Sequence, residues 1–254
     1  MNKEWNAEDY GKNFNFVPQY GRGVIDLIEA PRGSKVIDLG CGNGILTHQL
    51  KEQGFDVTGV DMSDSFLDVA RKNYSDIHFL KADITALNIP VKADVVFSNA
   101  VFHWVDRKDQ PKLLQGIHRI LKPGGQLVAE FGGYGNNDLI HAALAKVFAQ
   151  HSRRYVMPFF FPSIAEYAQL LEQAGLRMVY AHLFDRPTLL IGEHGMEDWI
   201  RMFVQIPFKG INKSESDEII FETSEVLRDK LYKNGKWYAD YVRLRFKALN
   251  VADS

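Results

Sequence analysis

The chain has 254 residues, of which 46% are hydrophobic and 24% are charged, as in ordinary globular proteins. Its formal net charge of −2 gives no general electrostatic reason to bind nucleic acid or an anionic membrane. No apolar run approaches the ~20 residues that a membrane span needs, and the first residues, MNKEWNAEDYGKNFNF, lack the apolar core of a secretory signal. The single cysteine, Cys41, excludes an intramolecular disulfide and favours a reducing, cytoplasmic setting.

The first thirty residues combine a polar, aromatic-rich segment with one predicted helix. Pro31 and Gly33 end this helix, because proline and glycine together interrupt helical structure. The helix is predicted from residues that recur at helical spacing, namely Tyr20, Val24, Leu27 and Ile28.

From Ser34 onwards, short apolar runs alternate with helical patterns. The runs are continuous, which is typical of strands that are covered on both faces. Strand and helix in alternation predict right-handed βαβ units and a parallel sheet. The predicted strands are Lys35–Leu39, Asp56–Val60, Ile77–Lys81, Asp94–Ser98 and Gln126–Phe131. The predicted helices between them are Ile45–Gln53, Ser63–Asn73 and Gln110–Leu121.

The pattern becomes less regular in the second half of the chain. Ser163 and Glu166 have the spacing of a capping box, for a helix that Gly175 ends. A strand is predicted at Arg177–Phe184, and the alternating polarity of Trp237–Leu249 indicates a final antiparallel strand. Further helices are predicted at Leu139–Gln150, Met196–Val204 and Glu215–Lys230.

A loop with glycine at alternate positions joins the first of these strands to the next helix. Gly40, Gly42 and Gly44 permit positive φ angles and a close approach of ligand to backbone, and the helix N-terminus offers free N–H groups. A dinucleotide-binding loop reads G-x-G-x-x-G, but Ile45 stands where the last glycine is needed. Asp38 would repel a pyrophosphate, whereas it would accept a hydrogen bond from an ammonium group. The loop favours a nucleotide-like cofactor, with a plain strand-to-helix turn as the alternative.

This D-x-G-x-G-x-G spacing resembles that of the class I S-adenosylmethionine-dependent methyltransferases. The resemblance implies that Asp61, which follows the second strand, accepts both ribose hydroxyls, with Met62 beside it. It also implies that Asp83 binds the adenine amine, near the Ile84 backbone N–H. Asn99, after the fourth strand, is expected at the methionine end of the cofactor.

Some of these assignments have alternatives. An acidic residue about 20 positions after the loop also occurs in dinucleotide folds, so Asp61 alone does not distinguish the two cofactors. Asp83 is also suited to capping a turn. Cys41 is interpreted as a small residue beneath the cofactor and not as a nucleophile, because no base stands beside it.

Four further segments resemble the trans-aconitate methyltransferase-like group of small-molecule enzymes: WNAEDYGKN, SNAVFHWV, EFGGYGN and WYADYVRLRFKAL. In that group the N-terminal segment folds over the cofactor, which implies a contact for Tyr10; ordinary packing is the alternative. The resemblance implies a Rossmann-like α/β fold, with a seven-stranded, mostly parallel sheet whose last strand is antiparallel. We expect a single domain: an N-terminal helical segment at 1–33, a cofactor-binding core at 34–132, a largely helical cap with one sheet strand at 133–236, and a final strand at 237–250.

The group includes carboxylate O-methyltransferases, and related sequences methylate the free carboxyl of a carrier-bound malonyl chain. The resemblance therefore implies an acidic small-molecule acceptor, while N- or C-methylation of another metabolite stays open. A carboxylate is ionised at neutral pH and needs no base, whereas a hydroxyl or amine acceptor would benefit from one. His103 is the candidate base. Packing with Trp104 to shape the pocket wall is the alternative that we prefer.

Three features of the second half supply further hypotheses. Arg153 and Arg154 have the chemistry to bind an acceptor carboxylate, but a solvated surface pair is the preferred interpretation. Arg243 and Arg245 are interpreted as structural. The segment Phe159–Phe161 is expected to pack the cap onto the sheet rather than to bind substrate.

Three other functions fit parts of the pattern. The glycine spacing and Asp38 disfavour a nicotinamide-dependent dehydrogenase. A nucleic-acid amino-methyltransferase carries two prolines after its fourth strand, and residues 99–102 of this chain, NAVF, have none. A non-catalytic S-adenosylmethionine-binding protein is not separated from an enzyme by sequence. The eight histidines show no metal-ligand spacing, so no metal is predicted, and the oligomeric state is left open.

Overall fold

The structure, a computed structural model, describes residue 21 and residues 23–251. Within this range residues 23–25 are helical, at the end of the predicted first helix. The contact predicted for Tyr10 and the place of Tyr20 in that helix lie outside the described residues. No helix of the described part combines the length and the apolarity that a membrane span requires.

Five parallel strands form the first part of the sheet. The first four lie within one residue of their predicted bounds, whereas the fifth begins five residues earlier than predicted. They lie in the order β3-β2-β1-β4-β5, so their carboxyl ends meet at one edge. Ligands of open α/β sheets bind at this edge. The strands are β1 Lys35–Leu39, β2 Asp56–Asp61, β3 His78–Lys81, β4 Ala93–Asn99 and β5 Leu121–Gly132.

Two long strands, β6 Leu176–Leu190 and β8 Lys236–Asn250, complete the sheet. β8 lies between β5 and β6 and is antiparallel to both, which confirms the predicted mostly parallel sheet with an antiparallel last strand. The structure adds a two-residue strand that was not predicted, β7 Tyr232–Lys233. It pairs with the start of β8 through a turn at Asn234 and Gly235, whose φ angles are 51° and 75°. Such Asn-Gly turns match the twist of a hairpin.

The predicted end of β6 at Phe184 is wrong. Pairing with β8 continues as far as Leu190, opposite Trp237. Pro187 lies in this extension, and it is tolerated because β6 is an edge strand whose outer side needs no N–H donor. The extension carries Arg186, the residue that the sequence analysis overlooked.

Besides the helical residues 23–25, seven α-helices of the described residues connect or cover these strands. Ser163 begins α5 as predicted, because its Oγ accepts a hydrogen bond from the Glu166 N–H at 3.1 Å. Gly175 follows the end of α5 with a φ of 79°. The helices are α1 Ile45–Glu52, α2 Asp64–Asn73, α3 Gln110–Ile120, α4 Asp138–Gln150, α5 Ile164–Gln173, α6 Gly195–Phe203 and α7 Lys213–Leu231.

Apolar side chains cluster on the two faces of the sheet and, separately, beneath the cap. In β4, Val95 and Phe97 belong to the cluster on one face, and Val96 belongs to the cluster on the other. The cap cluster joins α4, α6 and α7 to the far ends of β6 and β8, around Trp199 and Trp237. This arrangement leaves a cavity between the carboxyl ends of the parallel strands and the cap.

Candidate active site

The cavity has two sides of different origin. One side consists mainly of the ends of β1 to β4 and the segments that follow them, and the other consists mainly of residues from α6, β6, β8 and the segment before α5. Within the part of the chain that the structure describes, the cavity brings together eight predicted site residues: Gly40, Cys41, Gly42, Asp61, Met62, Ile84, Asn99 and His103.

The glycines of the loop after β1 are needed for two different reasons. Gly40 and Gly42 have φ angles of 74° and 54°, in a region that residues with a side chain rarely adopt. A Cβ at Gly40 would lie 2.3 Å from a methyl carbon of Val101, so this glycine allows the loops after β1 and β4 to pack together. A Cβ at Gly42 would meet no atom within 4 Å, so Gly42 leaves room for a ligand on the cavity side.

The Asp61 carboxylate is held by the backbone of two loops. The Gly42 N–H and the Ser63 N–H each donate a hydrogen bond to it at 2.9 Å. Burial raises the pKa of Asp61, while these backbone hydrogen bonds act in the opposite direction. Because each carboxylate oxygen accepts more than one hydrogen bond, Asp61 retains acceptor capacity toward hydroxyl groups in the cavity.

The end of β4 carries an unsatisfied acceptor. Asn99 is 9% exposed, and its Oδ1 is buried without a hydrogen-bond partner. The following residue, Ala100, has a φ of 62°, and its N–H donates to the Glu130 carbonyl at 2.7 Å. Buried orphan acceptors and left-handed non-glycine residues are both uncommon and concentrate at ligand sites. The site therefore fits a ligand that brings its own donor, such as an ammonium group.

Three residues predicted to contact the cofactor do not line the cavity. The Thr47 hydroxyl donates to Asp38 at 2.6 Å, and burial raises the pKa of Asp38 to about 7. Gly44 precedes α1 with a φ of 82°, and a Cβ there would lie 3.0 Å from a buried aromatic ring. Asp83 is exposed, and its carboxylate accepts from the N–H and the hydroxyl of Thr85 at 2.8 Å. These contacts stabilise the loops, and the cofactor contacts of the three residues stay predictions.

Cys41 lies on the cavity surface and is 8% exposed. Burial raises the pKa of its thiol far above the ordinary value, and the nearby Asp38 and Asp61 charges act in the same direction. The thiolate, not the thiol, is the nucleophile, so a protonated Cys41 is a poor one.

His103 lies in a short 3₁₀ turn, Phe102–Trp104, and is 8% exposed. The Gly132 N–H donates a hydrogen bond to its Nδ1 at 3.3 Å. Because Nδ1 is the acceptor, the neutral imidazole carries its proton on Nε2. If Nδ1 were protonated, its N–H would face the Gly132 N–H, and two donors would repel each other. This geometry suits a hydrogen-bond donor better than a base.

A buried cluster of charges contributes to the cavity wall next to the end of β4. Glu130 has no exposed side-chain surface, and it accepts hydrogen bonds from Arg186 at 2.7 Å, Arg243 at 3.4 Å and Arg245 at 2.8 Å. Burial lowers the pKa of Arg186, and the Glu130 charge opposes that effect. Among the described residues, three guanidinium groups thus meet one carboxylate. Arg186 and Arg243 also line the cavity.

This cluster was not predicted, although the sequence contains a signal for it. Glu130 is a charged residue inside the apolar run of β5, and a buried charge requires partners. Tyr241, Arg243 and Arg245 alternate along β8 and therefore share one face of the sheet. The structural role assigned to Arg245 is consistent with its second hydrogen bond, to the Gly23 carbonyl at 2.8 Å. The structural role assigned to Arg243 was incomplete, because Arg243 also lines the cavity.

The alternative of a carboxylate clamp at Arg153 and Arg154 is wrong. Arg153 donates to Glu215 at 2.7 Å on the protein surface, and Arg154 is exposed. Neither residue lines the cavity. The preferred interpretation, a solvated surface pair, is confirmed.

The cap side of the cavity is aromatic. In the Phe159–Phe161 segment, Phe160 packs into a sheet cluster, as predicted. Phe159 and Phe161 line the cavity instead. Trp199, Phe203 and Tyr241 also line this side, and Trp104, from the turn after β4, contacts Phe159 at a centroid distance of 4.8 Å.

The known proteins that this chain resembles are methyltransferases. A family model described as a methyltransferase domain matches residues 37–129. The uncharacterized methyltransferase C70.08c of Schizosaccharomyces pombe is 33% identical over 256 residues, which cover 96% of this chain and 97% of that protein. The trans-aconitate 2-methyltransferase of Rhodopseudomonas palustris (strain BisB18) is 36% identical over 129 residues, half of either chain.

Solved structures share the fold at low sequence identity. The BH2331 protein of Bacillus halodurans C-125 has a TM-score of 0.63 at 17% identity, over 91% of this chain and 98% of its own. A second structure is the geranyl diphosphate C-methyltransferase of Streptomyces coelicolor A3(2), in complex with S-adenosyl-L-homocysteine. It has a TM-score of 0.55 at 16% identity, over 92% of this chain and 76% of its own. These likenesses show the fold alone.

Proposed function

The chain belongs to the class I S-adenosylmethionine-dependent methyltransferases, and on that premise we propose that it methylates a carboxylate oxygen of a small anionic acceptor. The cofactor is S-adenosylmethionine, which supplies a methyl group on a positively charged sulfur. The enzyme's task is to align the acceptor with that methyl group and to exclude water. The name of the trans-aconitate relative supports an acid as acceptor.

The loops after the parallel strands supply the groups that would hold the cofactor. Gly42 leaves space against the backbone, as its open Cβ position indicates. Asp61 has acceptor capacity for the ribose hydroxyls, and its orientation is held by Gly42 and Ser63. The unpartnered Oδ1 of Asn99 suits the amino group of the methionine end. The adenine contact of Asp83 stays a prediction.

The observation that carries the proposal is the pair of arginines in the cavity wall. Arg186 and Arg243 share the Glu130 carboxylate with Arg245, so that among the described residues three guanidinium groups face one carboxylate. A guanidinium holds a carboxylate through two parallel hydrogen bonds. The cavity therefore attracts and orients an anionic acceptor.

The geometry of His103 supports the same acceptor class. Its Nδ1 accepts from Gly132, so the neutral ring has no nitrogen lone pair left with which to take a proton. An amine or hydroxyl acceptor would need a group that takes its proton. A carboxylate arrives ionised and needs none.

The test is a methyl-transfer assay with a panel of carboxylic acids, amines and phenols. We expect products that release methanol in mild base, as methyl esters do and N- or C-methylated products do not. Base-stable products, or transfer to amines alone, would overturn the proposal.

Substitution of one of the two cavity arginines tests whether this pair binds the acceptor. Arg186→Gln should raise the acceptor KM by roughly 10- to 100-fold, because a charge-assisted hydrogen bond is lost. The Kd for S-adenosylmethionine should change by less than about twofold, since Arg186 belongs to β6 and none of the groups assigned to the cofactor does. Arg201→Gln is the matched control, because Arg201 lies on the outer face of the cap and pairs with Asp217. An unchanged acceptor KM in Arg186→Gln would remove the main support for the proposal.

A further inference from the structure

Six aromatic side chains form a continuous surface in the cavity, which we call the aromatic wall. Its members are in ring contact from one end to the other. The centroid distances are 5.3 Å for Phe161–Phe159, 4.8 Å for Phe159–Trp104, 6.2 Å for Trp104–Phe203, 5.3 Å for Phe203–Trp199 and 6.3 Å for Trp199–Tyr241.

The polar atoms of the two tryptophans are already used. Trp104 Nε1 donates to the Ala100 carbonyl at 3.2 Å, and Trp199 Nε1 donates to the Tyr241 hydroxyl at 2.7 Å. These indoles therefore offer ring surface to the cavity and no spare donor. A hydroxyl or a second carboxylate of an acceptor placed against them would lose its water without gaining a hydrogen bond.

The positive charge joins the aromatic wall at one end. The Arg243 guanidinium lies 5.7 Å from the centre of the Tyr241 ring. Arg186 pairs with Tyr241 across the two antiparallel strands. Trp104, in the middle of the wall, lies beside the Ala100 backbone where β4 ends. Charge and apolar surface are thus adjacent but separate.

From this separation we propose that the acceptor is an amphipathic organic acid, in which one carboxylate is attached to an apolar acyl or aryl body. The inference rests on the proposed carboxylate methylation and names the substrate class of the same cavity. The arginine cluster attracts the acid group, and the aromatic wall binds the body. An acid with several carboxylates and little carbon would leave the wall unused.

The experiment compares acids of matched length in the ester assay. The probes are butanoate, hexanoate, octanoate and phenylacetate, against the corresponding dicarboxylates and propane-1,2,3-tricarboxylate. For the monoacids, kcat/KM should rise by about threefold to fourfold for each added methylene until the cavity is full. A second terminal carboxylate should lower kcat/KM by about tenfold or more. Esters formed better from the polyacids would overturn this inference and leave the proposed function standing. No ester from any acid would overturn both.

A variant pair assigns the effect to the aromatic wall. Phe161→Leu removes ring surface from the cavity lining, so kcat/KM should fall by about tenfold for octanoate and by less than about twofold for butanoate. Phe208→Leu is the matched control, because Phe208 packs on Phe148 at 5.0 Å in the cap cluster and does not line the cavity. Melting temperatures establish that both variants fold. An equal loss for the long and the short acid in Phe161→Leu would contradict the inference.

Discussion

The cofactor side of the cavity is built from short consecutive segments, whereas its acceptor side is assembled from residues that are far apart in the chain. On the cofactor side, Gly40 and Gly42 belong to one loop, and Asp61 is the last residue of the next strand. On the acceptor side, Glu130 is separated by 56 residues from Arg186 and by 113 from Arg243. The first side depends on local backbone geometry, and the second depends on strand pairing. Substitutions should therefore affect the two sides separately.

The largest expected effect is on the cofactor side. Gly40→Ala should weaken S-adenosylmethionine binding by about 100-fold or more, because the new Cβ would meet Val101 at 2.3 Å in a positive-φ position. Calorimetric titration measures this Kd. Gly124→Ala is the control, since Gly124 has a φ of 75° but a Cβ there would meet nothing within 4 Å. Similar losses in the two variants would show that φ strain alone is responsible.

The next effect should be confined to the acceptor side. Glu130→Gln removes the charge that holds three guanidinium groups, so the acceptor KM should rise by about tenfold. Breaking a fully buried ion pair should also lower the free energy of unfolding, by about 3–5 kcal/mol. The Kd for S-adenosylmethionine, measured well below the melting temperature, should change by less than about twofold. A matched rise in cofactor Kd would mean that the two sides are not independent.

A smaller effect concerns the pH dependence of stability. Burial raises the pKa of Asp38 from 3.8 to about 7, so the native state holds this proton more tightly than the unfolded state. The stability of the wild type relative to Asp38→Asn should therefore fall as the pH rises from 4 to 7, by an amount on the order of 3 kcal/mol. Denaturant unfolding at pH 4, 6 and 8 measures the difference. If the difference in the free energy of unfolding between the two proteins does not change with pH, the raised pKa of Asp38 is refuted.

The smallest effect should come from the cap surface. Arg153→Gln should leave the acceptor KM within about twofold of the wild-type value, because the exposed Arg153–Glu215 pair lies outside the cavity. Steady-state kinetics with the best acid of the panel measures it. A marked rise in KM would restore the arginine clamp that the structure contradicts.

The predicted helices and strands agree with the structure where local sequence patterns determine them. β1 and the beginning of α1 match their predicted bounds, because a continuous apolar run and the glycine loop mark them directly. The prediction was wrong at the end of β6, where pairing with β8 extends the strand past Pro187. Propensity disfavours a strand there, and the tertiary pairing outweighs it.

The sequence by itself determined the parallel core and the class of cofactor, because strand-end glycines and acidic residues act through local geometry. Only the tertiary structure decided that Arg243 joins the cavity wall and that the Phe159–Phe161 segment divides between wall and core. The orientation of these side chains depends on the pairing of β5, β8 and β6 and on the packing of the cap. Such long-range contacts leave no fixed spacing in the sequence, and they form the side of the cavity that selects the acceptor.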